Sequence, residues 1–279
     1  MARDIARHHG ARLTLLHVDG LPVYNEHVRR AASSDAWIKY FQARNVELKE
    51  RLREFAQSLE LGKDTELALS RGDPAKAIQK QAAGGFDLVV MSPHGTGYGA
   101  RFLLGSVSAR VATEANCPVL VAHSRSGAEM SSDGAFERPL IAVSDERLAQ
   151  RAVALTMSLA ERGTKVDLMH VLEAFEIPYR PGPPGFHEAL LEGRHEVRKK
   201  LARLAGRLEK RGFDTSIRVE TGDPAYAILC RLEASRSGLV VVCRKTPAAG
   251  EAGLSVPVYR AVQHSPIPVL VVPEPVNQA

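Results

Sequence analysis

The segment with the clearest chemical potential is residues 92–106, SPHGTGYGARFLLGS, which contain four glycines. The pattern predicts that this segment follows a strand and enters a helix. Glycine lets backbone amides approach an anion closely, and the free N–H groups at a helix start favour phosphate. Gly105 would leave room for the phosphate and permit a positive φ, and Ser106 would add a hydroxyl. The alternative is a tight turn in which the glycines serve only the backbone.

Cysteines and histidines offer no comparable site. Cys117, Cys230 and Cys243 are widely spaced and form no CxxC pair, so neither a disulfide framework nor a zinc ribbon is indicated, and a cytoplasmic location is expected. His17 and His170 fall at equivalent strand ends and are interpreted as hydrogen-bonded core residues. No ligand triad is visible, so no metal is expected.

Motifs for nucleophilic catalysis are also missing. The sequence contains no GxSxG elbow and no GxxxxGK[ST] loop, and no cysteine has a neighbouring base in a recognisable motif. An enzyme is therefore not expected.

The elements that must position the glycine-rich segment come from an internal repeat. Three pairs recur at offsets of 150 to 153 residues: GDPAKAI at 72–78 with GDPAYAI at 222–228, CPVLVA at 117–122 with IPVLVV at 267–272, and LTLLHV at 13–18 with VDLMHV at 166–171. The sequence therefore predicts two tandem copies of one domain, over residues 1–123 and 138–279. The linker between them is expected at 124–137, where small and polar residues cluster.

Each copy alternates strand-like and helix-length segments, a pattern typical of parallel sheets covered by helices on both faces. The strands predicted in the second copy are 139–144, 165–172, 213–220, 238–243 and 268–272. Asp73 and Asp223 each precede a proline and are interpreted as helix N-caps.

A long amphipathic helix is predicted over about 36–60 in the first copy. Its apolar residues recur at steps of three, four or seven and are interpreted as core. They are Trp37, Phe41, Leu48, Leu52, Phe55 and Leu59.

Charge is spread thinly along the chain. Lys and Arg number 17 against 16 acidic residues in 1–137 and 20 against 16 in 138–279, within a net charge of +5. No dense basic block marks a phosphate-backbone track, so nucleic acid is not an expected partner. Apolar runs are far shorter than the roughly 18 residues of a membrane span, and the charged start does not resemble a signal peptide, so no membrane partner is expected.

Several of these motifs together resemble the universal stress protein family, specifically its tandem members. The motifs are LLHV after a strand, GDPA before a helix, DLVVM before the glycine loop, LLGSVSARV at the next helix and CPVLV as the last strand. The family's nucleotide motif is Gly, two residues, Gly, nine residues, Gly and Ser or Thr. The first copy matches it at Gly95, Gly105 and Ser106, followed by Val107, but has Ser92 in place of the first glycine.

The resemblance implies two doubly wound α/β sandwiches with parallel sheets, an adenine nucleotide (ATP or AMP) bound by the first copy, and a role in stress resistance. It also implies that the copies pack as a pseudo-dimer, or that chains self-associate, through the last strands at 118–122 and 268–272. The rival interpretations are an interaction scaffold that binds no nucleotide and a binder of another small ligand in the second copy. Only the punctuated loop at 177–185 favours the last of these.

The two copies depart from the family pattern in different places. The second copy keeps a first strand that ends near Asp145, which faces the nucleotide in binding members, but its loop at 243–256 has lost the glycine spacing. Arg244 and Lys245 in that loop are interpreted as solvated charges. The first copy lacks the first strand, which the family places at the sheet centre, so the numbered chain is expected to begin late. An upstream segment, a borrowed strand or direct pairing of the flanking strands would close the gap.

Overall fold

The computed structural model describes residues 1–20, 35–93, 104–123, 136–173, 186–245 and 256–274. The loop predicted at 177–185 and all but the last two residues of the predicted linker lie outside these ranges. The chain divides into two compact units, Met1–Gly84 and Gly85–Ala279. Within the described ranges, every helix is too short or too polar to cross a bilayer.

The first unit contains three helices and two strands among its described residues. In chain order they are α1 (Ala2–His9), β1 (Thr14–Asp19), α2 (Asp35–Ser58), β2 (Glu66–Arg71) and α3 (Pro74–Ala82). Strands β1 and β2 are parallel, with Thr14 opposite Glu66 and Asp19 opposite Arg71. They form a two-stranded sheet of their own.

Helix α2 confirms the predicted long helix but corrects its predicted core stripe. Leu48 and Leu52 are buried, together with Ala56 one turn later. Phe55 and Leu59 are instead 52% and 39% exposed. The periodicity identified the apolar face correctly, but only part of that face is covered in this unit.

A buried ion pair joins α2 to the end of β1. Asp19 is 4% exposed and receives two hydrogen bonds of 3.0 Å from the Arg44 guanidinium, in a bidentate arrangement. Arg71 approaches the same carboxylate at 3.8 Å and lies over the Phe41 ring, 4.5 Å from its centroid. The hydrogen bond from Arg44 is the largest of several effects that lower the pKa of Asp19.

The second unit contains the remaining elements. They are β3 (Val89–Met91), α4 (Ser106–Glu114), β4 (Val119–Val121), β5 (Pro139–Ala142), α5 (Glu146–Leu159), β6 (Lys165–Leu172), α6 (Phe186–Glu209), β7 (Asp214–Thr221), α7 (Pro224–Ala234), β8 (Leu239–Arg244), α8 (Val256–His264) and β9 (Val269–Pro273). The strands form one sheet in the order β3-β4-β9-β8-β5-β6-β7. The five strands predicted for the second copy are confirmed to within two residues at each end.

The sheet is parallel except at one position, where β4 and β9 run antiparallel. Leu120 lies opposite Leu270 there, and both side chains are fully buried. All described residues of β8 and β9 are buried, as expected for Val-rich strands covered on both faces. The last strands of the two copies, which the sequence predicts at a shared interface, are therefore hydrogen-bonded neighbours.

Strand β5 has no counterpart among the described residues of the first copy. It lies between β8 and β6, paired in parallel with both. The strands equivalent to β6 and β8 in the first copy are β1 and β3, which belong to different sheets.

The aspartates of the two GDPA motifs are confirmed as helix N-caps. The Asp73 side chain accepts a hydrogen bond of 2.9 Å from the backbone N–H of Lys76, and Asp223 accepts one of 2.7 Å from that of Tyr226. A proline follows each aspartate at the first helical position, where no intrahelical hydrogen bond is lost.

The second copy is also held together by one fully buried carboxylate, Asp167 on β6. It accepts hydrogen bonds from Arg138 Nε at 3.1 Å, from Arg231 Nη2 at 3.2 Å and from the Ser216 hydroxyl. Burial would raise its pKa, but the donors from Ser216 and Arg138 outweigh that effect and lower it. The Asp167 carboxylate thus links the residue before β5, the strands β6 and β7, and helix α7.

We expect Asp167→Asn to lower the free energy of unfolding by about 3 kcal/mol, because it leaves two partly buried guanidinium groups without a counter-charge. Asp214→Asn on the neighbouring strand is the matched control, since Asp214 is exposed and its ion pair with Lys165, at 3.8 Å, is also exposed. The control should change stability by no more than about 0.5 kcal/mol. Urea unfolding of both variants measures the difference, and equal losses would contradict the assigned role of Asp167.

Asp19 provides a prediction about pH. Its folded-state pKa is lowered, so its contribution to stability is complete above the unfolded pKa of about 3.9 and is lost as pH falls through the lower folded value. Arg44→Gln should return the pKa of Asp19 towards its ordinary range, whereas Arg53→Gln on the same helix should not. Carbon NMR titration of the Asp19 carboxyl measures both; an unchanged pKa in Arg44→Gln would refute the pairing.

Candidate functional site

The described part of the glycine-rich segment is its two ends, Ser92–Pro93 after β3 and Leu104–Ser106 at the start of α4. Gly95 and the other loop glycines lie outside the described residues. The Gly105 N–H donates a hydrogen bond of 2.8 Å to the Pro93 carbonyl. This bond draws the two ends of the segment together next to the carboxyl end of β3.

The amino end of α4 has no side-chain cap. Gly105 is the N-cap residue and has no side chain to accept from the first amides of the helix. Ser106 is exposed and Val107 is half-buried. Free N–H groups at the positive end of a helix dipole, beside a hydroxyl, are suited to an anionic oxygen.

The backbone at Gly105 corrects one expectation. Its φ is −62° and its ψ is 146°, an extended conformation that any residue can adopt. Glycine is therefore not required there for a positive φ. The remaining reason for a glycine is the space that its missing side chain leaves at the helix start.

Ser108 is a residue that the sequence analysis did not single out. It is 4% exposed, and its hydroxyl donates a hydrogen bond of 2.9 Å to the Ser92 carbonyl. Ser92 itself is exposed. Together with the bond from Gly105, this contact fixes the end of β3 against the first turn of α4. The sequence signal was present, since a serine in the first turn of a helix often bonds backbone, but its partner could not be read from the sequence.

The equivalent position in the second copy differs sharply. At the offset of 151 residues that aligns β3 with β8, Cys243 corresponds to Ser92 and Arg244 to Pro93. The Arg244 side chain is buried, whereas the sequence predicted a solvated charge. Its Nη2 donates to the carbonyl of Ala115, the C-cap of α4. Burial lowers the pKa of Arg244, and the negative charge of Glu114 opposes that effect. Lys245 is exposed, as predicted.

Asp145 has a structural role in the second copy. Its carboxylate accepts hydrogen bonds from the backbone N–H groups of Arg147 at 2.9 Å and Leu148 at 3.2 Å, which caps α5. Burial, assisted by the negative charge of Asp145, raises the pKa of Cys243 to about 12. Cys243 is therefore a protonated core thiol and not a nucleophile.

The two strand-end histidines do not behave alike. His170 is part-buried, and its Nδ1 lies 2.5 Å from the Val143 carbonyl, in agreement with the predicted core role. His17 is exposed, so that interpretation is wrong for the first copy. Within the described ranges, no three His, Cys, Asp or Glu side chains converge on a possible metal position.

Comparison with known proteins identifies the fold and the family. The universal stress protein family model matches residues 1–123 and 135–273. A Thermus aquaticus protein described as a universal stress protein in the QAH/OAS sulfhydrylase 3′ region is 33% identical over 123 residues, which cover 43% of this chain and 84% of the relative.

Two solved structures are similar over nearly the whole chain. A universal stress protein from Archaeoglobus fulgidus matches with a TM-score of 0.62 at 20% identity, and the match covers 98% of this chain and 92% of the Archaeoglobus chain. A functionally unknown protein from Pseudomonas aeruginosa has a TM-score of 0.60 at 15% identity and covers 98% and 86%. At these identities the likeness shows a shared α/β fold with parallel sheets. The matches to both halves of the sequence show that the chain belongs to the universal stress protein family, with the family's domain repeated in tandem.

Proposed function

We propose that the first copy binds the phosphates of an adenine nucleotide, ATP or AMP, at the amino end of α4, and that the protein serves a stress response without catalysing a reaction. The observation that carries the proposal is the uncapped start of α4. Gly105 leaves the first amides of the helix open, and Ser106 presents a hydroxyl beside them. Family membership supports the choice of an adenine nucleotide over other anions.

The second copy supports this first-copy site and does not duplicate it. Arg244, the last residue of β8, donates a hydrogen bond from its guanidinium to the carbonyl of Ala115. Asp145, the residue expected to face the base, accepts two amides of α5 through one carboxylate oxygen. Both groups are engaged in holding the fold, so we propose one nucleotide per chain.

The direct test is native mass spectrometry of the protein purified from cells. The proposal requires a retained mass of one adenine nucleotide per chain, or stoichiometric binding after ATP is added. If no ATP binding is detected at millimolar concentration, the proposal is wrong and the alternative of an interaction scaffold without nucleotide is favoured.

Gly105→Val should abolish nucleotide binding and leave the fold intact. The extended backbone at Gly105 accepts valine, but the branched side chain would stand where the phosphate must approach the helix amides. Gly253→Val in the second copy, at a position outside the described residues, is the control and should matter little. Calorimetry measures both affinities, and equal losses would show that the competent copy has been misassigned.

Ser108→Ala should weaken nucleotide binding about 2- to 10-fold, because one hydrogen bond of about 0.5–1.5 kcal/mol no longer positions the loop end against the helix. Thr113→Ala is matched to it, since the Thr113 hydroxyl bonds only the Ala109 carbonyl of the same helix, at 2.7 Å. The control should bind as the parent does. An unchanged affinity in Ser108→Ala would remove Ser108 from the site.

A further inference from the structure

The strongest charge feature of the described residues is a row of cations on one face of α6. The stretch 197–211 contains seven Lys or Arg residues and one Glu, and all seven cations are exposed. The equivalent stretch of α2 in the first copy, 44–58 at the offset of 153, contains four cations and three Glu residues. This stretch thus carries a net charge of about +6 in the second copy and +1 in the first, while α6 as a whole carries +2 because Glu188, Glu192 and Glu196 precede the stretch.

Four of these cations form what we call the basic stripe: Lys200, Arg203, Arg207 and Lys210. The spacing of Lys200, Arg203 and Arg207 places them on one side of the helix, and Lys210 follows in the turn after Glu209. Leu201, Leu204 and Leu208 form the buried side of the helix, and the stripe runs along the flank of that side, with Lys200 one turn before Leu204. At 1.5 Å per residue, the stripe is about 15 Å long.

The protein neutralises little of this charge. Glu146 at the start of α5 accepts two hydrogen bonds from Arg203, at 2.9 and 3.3 Å. The hydrogen bond from Arg203, and then the charges of Arg203, Lys200 and Arg207, lower the pKa of Glu146. Lys199, with smaller contributions that include Lys200, lowers the pKa of Glu196, so two carboxylates face these cations. Among the described residues, Lys200, Arg207 and Lys210 have no ion-pair partner.

Helix stability accounts for only part of the stripe. Cations in the last turn interact favourably with the helix dipole, which explains Arg207 and Lys210. The effect fades within one turn, so it does not explain Lys200 or Arg203. Crowding of like charges along a helix is mildly destabilising, which favours a role for the stripe outside the fold.

The chemistry of the surface selects the kind of partner. Leu191 is the only large apolar side chain described as exposed on α6, and it lies more than two turns before Lys200. The stripe therefore offers no aromatic group for stacking on unpaired bases and no apolar anchor for a protein hot spot or for a bilayer. A straight row of Lys and Arg alone matches the regularly spaced phosphates of a nucleic-acid duplex.

We propose that the basic stripe of α6 binds the phosphate backbone of duplex DNA, without reading its sequence. This interaction is separate from the nucleotide site proposed for the first copy, and needs no nucleotide. Charge counts for each half of the chain do not resolve the stripe, because acidic residues, including Glu188, Glu192 and Glu196 in the first half of α6, offset most of its cations.

The test is fluorescence anisotropy of the full chain with a 20-base-pair duplex over a salt series. The variant Lys200→Gln/Arg207→Gln/Lys210→Gln removes three cations that have no ion-pair partner among the described residues. The control Lys49→Gln/Arg51→Gln/Arg53→Gln removes three from α2, including the exposed pairs with Glu47 and Glu50, which are worth little. The two variants have equal net charge, and equal melting temperatures would show that both are folded.

The parent should bind the duplex with an affinity that falls steeply with salt. The stripe variant should bind at least about 10-fold more weakly at low salt, and the slope of log K against log salt should shrink by about 2.7, or about 0.9 for each phosphate that is no longer neutralised. The control should stay within about twofold of the parent. Equal losses in both variants, or no duplex binding by the parent, would overturn the proposal. Tighter, stripe-dependent binding to phosphatidylserine vesicles than to the duplex would overturn it in favour of a membrane surface.

Discussion

The antiparallel ladder between β4 and β9 is the interaction on which the larger unit depends. Each strand is the last of its copy, and each would otherwise leave a row of unpaired backbone groups at a sheet edge. By pairing Val119 with Val271, the ladder adds β3 and β4 to the five strands of the second copy. The glycine-rich segment starts from β3, so the proposed nucleotide site is carried by a sheet that both copies build.

Side-chain contacts beside this ladder use residues of the second copy to hold the joint. Arg244 reaches from β8 to the carbonyl of Ala115, at the negative end of the α4 dipole, where a cation is stabilising. Arg151 donates to the Pro273 carbonyl at 3.0 Å, at the end of β9. A residue used to hold the joint is not free to take part in binding an anion. In the second copy, the residues at this joint are therefore engaged in holding the fold.

The sequence predicted the fold well, because its signals were local or repeated. Offsets of 150 to 153 residues identified the tandem copies, and Val-rich runs located the strands of the second copy. Burial was harder to predict, since Phe55 has helical periodicity but its exposure depends on whether another element covers it. The partners of Arg244, 129 residues away, and of Asp167 are fixed by tertiary contact, which no spacing rule reveals.

The sequence located the start of α4, but it did not show how the first turn of that helix is held in place. The spacing from Gly95 to Ser106 pointed to the start of α4, whereas the backbone of Gly105 and the contact of Ser108 emerged only from the structure. Surface charge was likewise only partly predictable, because a count of cations in each half of the chain does not show which of them lie on one face. Leu201, Leu204 and Leu208 fix the rotation of α6 by burying one side, and this rotation leaves Lys200, Arg203 and Arg207 exposed along the flank of that side. The hydrophobic core of the second copy thereby determines which charges act together at its surface.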